Sequence, residues 1–261
     1  MSSSAGFNPT GRFTGLAQGY AKYRPSYPPQ AIDCLIQECV LVPGLTVVDV
    51  GCGTGISTRL LAGRNLRVIG IDPNDDMLST ARDTTRSETA GTIEYRHGNA
   101  EATGLPAGIA KAVTAFQAFH WFKGEEALAE FHRVLASDGS VALMWNDRDD
   151  GDPLTAAYHG ILTSTREGEA IANSWRESSE VLFHSRWFEA PRSFTFASDQ
   201  VLDEDGLVGR AMSASYAPRE PAPRAQMTKE LQQLFRRHQT DGVVRMLYRV
   251  SLFVARKRHG M

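Results

Sequence analysis

Cysteine is scarce in this chain: Cys34, Cys39 and Cys52 are the only three in 261 residues, and none lies in a Cys-x-x-Cys pair. An odd, unpaired set indicates neither a disulfide framework nor a zinc site, so a reducing cytoplasm is the expected compartment. A surplus of positive charge is also missing. Lys and Arg number 28 against 30 Asp and Glu, a net charge of −2. Surfaces that hold nucleic acid depend on clustered cations, so no nucleic acid is expected as partner. No apolar run is long enough to cross a bilayer, and the first residues lack the basic-then-apolar order of a secretory signal, so no membrane association is expected. Repeats and low-complexity tracts are absent. What is there is 42% hydrophobic and 22% charged, the make-up of an ordinary globular domain with one sizeable core.

Residues 1–30 are polar and rich in Gly, Pro and Tyr, ending in Tyr20-Ala-Lys-Tyr-Arg-Pro-Ser-Tyr-Pro-Pro29, which reads as an arm rather than a core element. From Gln30 to Val42, apolar residues recur at helical spacing until Pro43-Gly44. Helical and extended periods then alternate. Strands are predicted over 46–50, 66–71, 92–96, 112–119 and 140–145. Helices are predicted over 56–62, from an Asn74 cap through Ala81, and over 125–135. Such alternation indicates a doubly wound, mostly parallel α/β sheet with right-handed crossovers. Beyond it the pattern suggests helices over 153–165, 203–212 and 228–238, and strands over 193–201 and 243–256. Residues 150–190 and 213–224 are surplus to a minimal sheet and are expected to form a cap. The organisation expected is an arm over the site (1–30), a cofactor-binding core (31–146) and a remainder of sheet plus cap (147–261).

The first strand runs straight into Gly51-Cys-Gly-Thr-Gly55 and then a helix. Glycines there let a ligand approach the backbone more closely than any Cβ permits. A dinucleotide fingerprint requires a small residue next, to pack helix on strand, and position 56 is Ile. Asp49 stands close to where an anionic pyrophosphate would lie and would repel it, whereas the ammonium of an amino-acid moiety suits that carboxylate. Asp72, at the end of the second strand, has the spacing of an acid that binds ribose hydroxyls. Ribose plus amino acid describes S-adenosylmethionine.

With these residues in view, the sequence resembles the class I S-adenosylmethionine-dependent methyltransferases of the "type 11" group, in particular their trans-aconitate-methyltransferase-like branch. The resemblance rests on the arm 20–28, the turn 47–55, Gly98-Asn-Ala-Glu-Ala-Thr-Gly-Leu-Pro106, Gln117-Ala-Phe-His-Trp-Phe122, Arg133-Val-Leu-Ala-Ser-Asp-Gly139 and Ser213-Ala-Ser-Tyr-Ala-Pro218. It implies a seven-stranded sheet with an antiparallel last strand. It implies further that Asp49, Gly51, Cys52 and Gly53 hold the methionine part of the cofactor, Asp72 the ribose, and Asn99, Ala100 and Glu101 the adenine. Gln117, with Ala118, would flank the donor sulfonium. The family more often has Asp where this chain has Asn99, whose oxygen can still accept from the adenine amine.

On the acceptor side, His120 is the candidate general base, or else a residue that shapes the pocket. Trp121 and Trp145 wall the pocket or belong to the core. Tyr23 and Arg24, in the arm, are candidate substrate residues, the guanidinium being suited to a carboxylate of either the cofactor or an acidic substrate. Ser215 and Tyr216 reach the site only if the second half folds back. The acidic run 147–150 has no nearby His or second carboxylate cluster, so no metal is expected. The expected activity is methyl transfer to a carboxylate or hydroxyl oxygen of a small molecule, leaving S-adenosylhomocysteine, by a monomer or homodimer. A methyltransferase of nucleic acid or protein, or a cofactor sensor without turnover, are the alternatives. Base-methylating enzymes often carry Asn/Asp-Pro-Pro-Tyr/Phe after the fourth strand, where this chain has Gln117-Ala-Phe-His120.

Overall fold

The computed structural model describes residues 15–86, 89–164 and 178–259. Seven strands form one sheet in the order β3-β2-β1-β4-β5-β7-β6. They are β1 (Thr46–Val50), β2 (Arg67–Asp72), β3 (Thr92–His97), β4 (Ala110–Phe116), β5 (Leu135–Arg148), β6 (Arg192–Leu202) and β7 (Val244–Arg256). β1 to β5 pair in parallel; β7 is antiparallel to both β5 and β6. The fold is the α/β architecture anticipated, antiparallel last strand included.

Period-two alternation decides which helices cover which face. Val48, Val50, Val113, Ala115, Val141 and Leu143 meet α5 (Gly124–Val134) through Leu128 and Phe131. Their neighbours Val47, Val68, Ala112, Ala142 and Met144 meet α2 (Pro29–Glu38) and α3 (Ile56–Ala62) on the opposite face. Strands buried on both faces read as continuous apolar runs, which is how β1 and β5 stood out in the sequence.

At two helix ends the departure from the sequence expectation has a clear local reason. α2 stops at Glu38 because Val40, at φ 50°, takes a left-handed turn in which its N–H donates to Gln37 O and that of Leu41 to Ile36 O. This double bond satisfies the terminal carbonyls and leaves the following apolar residues outside the helix. The last helix, α8 (Pro221–His238), begins seven residues earlier than Thr228, since a proline in the first turn removes only N–H groups that need no partner there.

β5 and β7 are paired from Ser140 and Arg256 out to Arg148 and Tyr248, well past the end of β4. The overhang carries a third apolar cluster in which α6 (Pro153–Leu162), α7 (Glu204–Met212) and α8 pack on Leu202, Val244, Met246 and Tyr248. The arm contributes α1 (Ala17–Tyr23), which touches both α7 and α4 (Asp75–Thr84). Arm and cap thus meet above the carboxyl ends of β1 and β4, where the strand order reverses. Open α/β sheets place their ligand crevice at that switch point. Part of the expected cap, 165–177, lies outside the described residues. No helix among the described residues is long and apolar enough to cross a membrane.

Candidate active site

A cavity of about 260 Å³ opens at the switch point, floored by residues 50–54 and Asp72, and walled by 98–101, 116–118 and Asn146. The arm closes over it with Tyr20, Arg24, Pro25 and Tyr27, and α7 adds Arg210.

Three glycines of the β1–α3 turn hold left-handed φ values, for different reasons. A Cβ on Gly51 would lie 2.5 Å from Ala118 Cβ, and one on Gly55 would strike the Tyr95 hydroxyl. Those two positions are small because the protein itself presses on them. Around Gly53 nothing lies within 4 Å of such an atom, so this is the glycine whose backbone is bared to a ligand. The Gly53 N–H donates to Asp72 Oδ2 at 2.8 Å, and the Asn74 N–H to Oδ1 at 2.9 Å. Each Asp72 oxygen keeps a lone pair for a further donor. Burial pushes the Asp72 carboxyl up to about 6 against the pull of these two backbone donors, which leaves it mainly ionised at neutral pH.

Asp49 stands elsewhere than expected. It is fully buried and does not line the cavity. Its carboxylate accepts from Ser57 Oγ and Thr58 Oγ1, both at 2.7 Å, and from Thr114 Oγ1 at 3.0 Å. These bonds clamp the start of α3 to β1 and β4, away from the cavity lining where an ammonium contact was anticipated. Asn99 Oδ1 accepts from Ala102 N and so fixes its own turn, while Glu101 Oε1 accepts from Lys123 N ahead of α5. Gln117, at φ 51°, donates through Nε2 to Asn146 O. A non-glycine residue held left-handed at a cavity wall costs of order 1–3 kcal/mol, a form of strain that clusters at functional sites. Together Gly51, Cys52, Gly53, Asp72, Asn99, Ala100, Glu101 and Gln117 line one continuous cavity.

Of the acceptor-side candidates, Arg24 and Trp121 line it; Tyr23, His120, Trp145 and Tyr216 do not. Tyr23 packs on Gly209, where a Cβ would lie 2.5 Å from its ring, and anchors the arm to α7. Trp145 is fully buried, edge-on to Phe253, and its Nε1 donates to His120 Nδ1 at 3.3 Å. Because an indole N–H can only donate, Nδ1 is the lone-pair nitrogen and the ring proton sits on Nε2. Desolvation and the nearby Arg24 push His120 down to about 4, so the ring is neutral at working pH and its free nitrogen is already engaged. The arrangement suits a donor rather than the general base anticipated. Tyr216 accepts from Arg148 Nη2 at 3.0 Å.

Among the lining residues that the sequence reading did not single out, Thr54, Asn146 and Arg210 leave buried polar atoms without a partner: Thr54 Oγ1, Asn146 Oδ1, and Nε and Nη1 of Arg210. Thr54 adjoins the glycine turn and could have been read from it. Asn146 and Arg210 carried no local signal. Buried polar groups in folded proteins are almost always satisfied, so orphans sharing one cavity mark what a ligand supplies.

Residues 48–143 match the family model described as a methyltransferase domain. An uncharacterized methyltransferase of Schizosaccharomyces pombe is 31% identical over 69% of this chain and 68% of its own length. A second protein of that yeast, described as methyltransferase-like, is 27% identical over 91% of this chain and 92% of its own. Among solved structures, a protein described as a type II methyltransferase from Anaeromyxobacter dehalogenans superposes with a TM-score of 0.62. It is 21% identical and covers 90% of this chain and 98% of its own, a likeness of fold.

Proposed function

Because the chain belongs to the S-adenosylmethionine-dependent methyltransferases, we propose that it methylates a carboxylate or hydroxyl oxygen of a small molecule held between the arm and α7. The observation that carries this reading is the closure of the cavity by Tyr20, Arg24, Pro25 and Tyr27 on one side and Arg210 on the other. A cavity covered from both sides suits a small acceptor held whole within it.

The residues present fit the cofactor. Gly53 offers bare backbone and Thr54 Oγ1 an unpartnered hydroxyl for the amino-acid end, Asp72 two acceptor oxygens for ribose hydroxyls, and Met77, Ala100 and Ile56 apolar surface. When bound, S-adenosylmethionine supplies an electrophilic methyl group on a cationic sulfur. The protein's own task is to align the acceptor oxygen with that methyl and exclude water, positioning worth roughly 7–11 kcal/mol. Gln117, pinned to Asn146 O, keeps the ends of β4 and β5 fixed beside the reacting atoms.

Among the described residues no base is placed for deprotonating an acceptor, the lining carboxylate Glu101 being engaged by the Lys123 N–H. His120 has its free nitrogen engaged, burial pushes the Tyr27 phenol and Cys52 thiol well above their ordinary values, and Asp72 is spoken for by the ribose. A carboxylate oxygen, already ionised, needs no base and is favoured over a hydroxyl. A cytoplasmic setting agrees with the three free thiols.

Transfer of labelled methyl from S-adenosylmethionine to a panel of small acids, phenols and amines tests the reading. Acids should be the methylated class, yielding esters. Turnover on protein or nucleic acid with none on small molecules would reject it, and binding without transfer to any of these would favour a sensor.

A further inference from the structure

Asn146, at the end of β5, ties together the turn after β4 and the arm. Its backbone oxygen accepts from Gln117 Nε2 at 2.8 Å, and its own Nδ2 donates to Ser26 O, in the arm, at 3.1 Å. A backbone oxygen can only accept, so the orientation of the amide is settled: the atom bonded to Ser26 is the nitrogen, and the oxygen is the atom left over. That Oδ1 has no partner, although the residue is only 5% exposed and lines the cavity. Alternation along β5 puts Asn146 on the face of Ala142 and Met144, which pack on α2 and α3, and opposite to Trp145. The oxygen thus belongs to the side of the sheet where α3 begins and where Thr54 Oγ1 also lacks a partner.

An orphaned acceptor oxygen calls for a donor, and its place in the sheet selects which one. An ionised carboxylate that is to be methylated brings no N–H or O–H at its reacting group. S-adenosylmethionine brings the adenine amine, the ribose hydroxyls and an α-ammonium. With adenine at 98–101, after β3, and ribose on Asp72, at the end of β2, the sheet order leads the amino-acid end across β1 and β4 toward β5. The ammonium is then the donor within reach of Asn146. It needs such a partner, because a buried ammonium without acceptors is costly. The carboxylates do not supply one: Asp49 is closed into its ring of hydroxyls, while the lining carboxylates Asp72 and Glu101 stand on the ribose and adenine side. A neutral amide is also the fitting partner. The ammonium travels with its own carboxylate, so this end of the cofactor is a zwitterion with no net charge to compensate.

We propose that Asn146 Oδ1 accepts a hydrogen bond from the α-ammonium of the bound cofactor, the role expected of Asp49 from the sequence. Because the same amide holds Ser26, the arm is fastened by the residue that receives the cofactor. The inference rests on the methyltransferase reading and adds a cofactor contact to it.

The test compares, by calorimetry on the full chain, S-adenosylhomocysteine with its deamino analogue, in which hydrogen replaces the ammonium. The ratio of the two affinities isolates contacts to the ammonium, since loosening of the arm weakens both ligands alike. The unaltered protein should favour S-adenosylhomocysteine by about tenfold or more, a hydrogen bond to a charged group being at stake. Asn146→Leu, which removes both the oxygen and the bond to Ser26, should reduce that preference about tenfold. Asn146→Asp, which keeps an acceptor oxygen but as a carboxylate cannot donate to Ser26, should retain the preference, and it reads the same question should the Leu variant not fold. A Leu variant that weakens both ligands equally would overturn the proposal and leave Asn146 as a latch for the arm alone. So would an Asp variant that loses the preference, or an unaltered protein that binds the two ligands alike. Failure of the unaltered protein to bind S-adenosylhomocysteine at all would overturn the underlying reading and the proposal with it.

Discussion

The two ends of the cavity are built in opposite ways. At the glycine turn almost every polar group is satisfied within the protein: Asp49 by three hydroxyls, Asp72 by two backbone N–H groups, Asn99 by its own turn. Across from it, Arg24, Asn146 and Arg210 come from the arm, the end of β5 and α7, and each keeps an unpartnered buried atom. The first end is a prearranged cradle closed by the protein's own hydrogen bonds. The second holds unmet hydrogen-bonding and charge, which bound ligands would complete. Preorganisation costs stability where polar atoms await a ligand, so the two ends should answer differently to substitution.

The largest effect should come at the cradle. Asp72→Asn removes the charge that would meet the ribose, and calorimetry should show S-adenosylhomocysteine affinity falling about 100-fold, two charge-assisted hydrogen bonds being at stake. An affinity within threefold of the unaltered protein would remove Asp72 from the cofactor site. Gly51→Ala forces a Cβ against Ala118 and a side chain into a left-handed backbone. Thermal melting should show a loss of about 2–4 kcal/mol, whereas Gly53→Ala, with open space around it, should cost less stability and more affinity. Equal stability losses would contradict the distinction drawn between these two glycines.

A smaller effect separates the ends by pH. The Asp72 carboxyl, at about 6 in the folded protein, lies above its ordinary 3.8, so the folded state takes up its proton first. Its contribution to stability is therefore greatest below pH 4 and is lost as pH rises through 6, while cofactor affinity, which needs the ionised form, changes in the opposite sense. Below pH 6 affinity should fall by about tenfold per unit, and the trend should disappear in Asp72→Asn. The smallest effect is expected at His120. His120→Gln, whose amide can still accept from Trp145, should leave turnover within about threefold, and at saturating cofactor its pH profile should keep the limbs of the unaltered protein. His120→Ala should lose about 1–3 kcal/mol of stability by removing a buried acceptor of the Trp145 indole N–H. A turnover loss of 100-fold or more in His120→Gln would restore the base.

The same division explains what could be read before the structure was known. The turn 51–55, Asp72 and the segment 98–101 are contiguous or fall at strand ends, where period and spacing reveal position. Asp49 misled because a carboxylate beside a glycine turn looks exposed in one dimension; alternation within β1 turns it away from the cavity and into a ring of hydroxyls. For Trp145 the core alternative is the one its burial matches, and its hydrogen bond to His120 crosses from one strand end to the turn after another, a contact that no local spacing reveals.

The sequence by itself determined the sheet, the switch point and most of the residues now proposed to hold the cofactor, because these depend on local periodicity and on residues adjacent along the chain. Only the tertiary structure decided the acceptor end. Arg24 and Arg210 are 186 positions apart in the chain, and what brings both to one cavity, buried and with no carboxylate paired to either among the described residues, is a property of packing that no local pattern encodes.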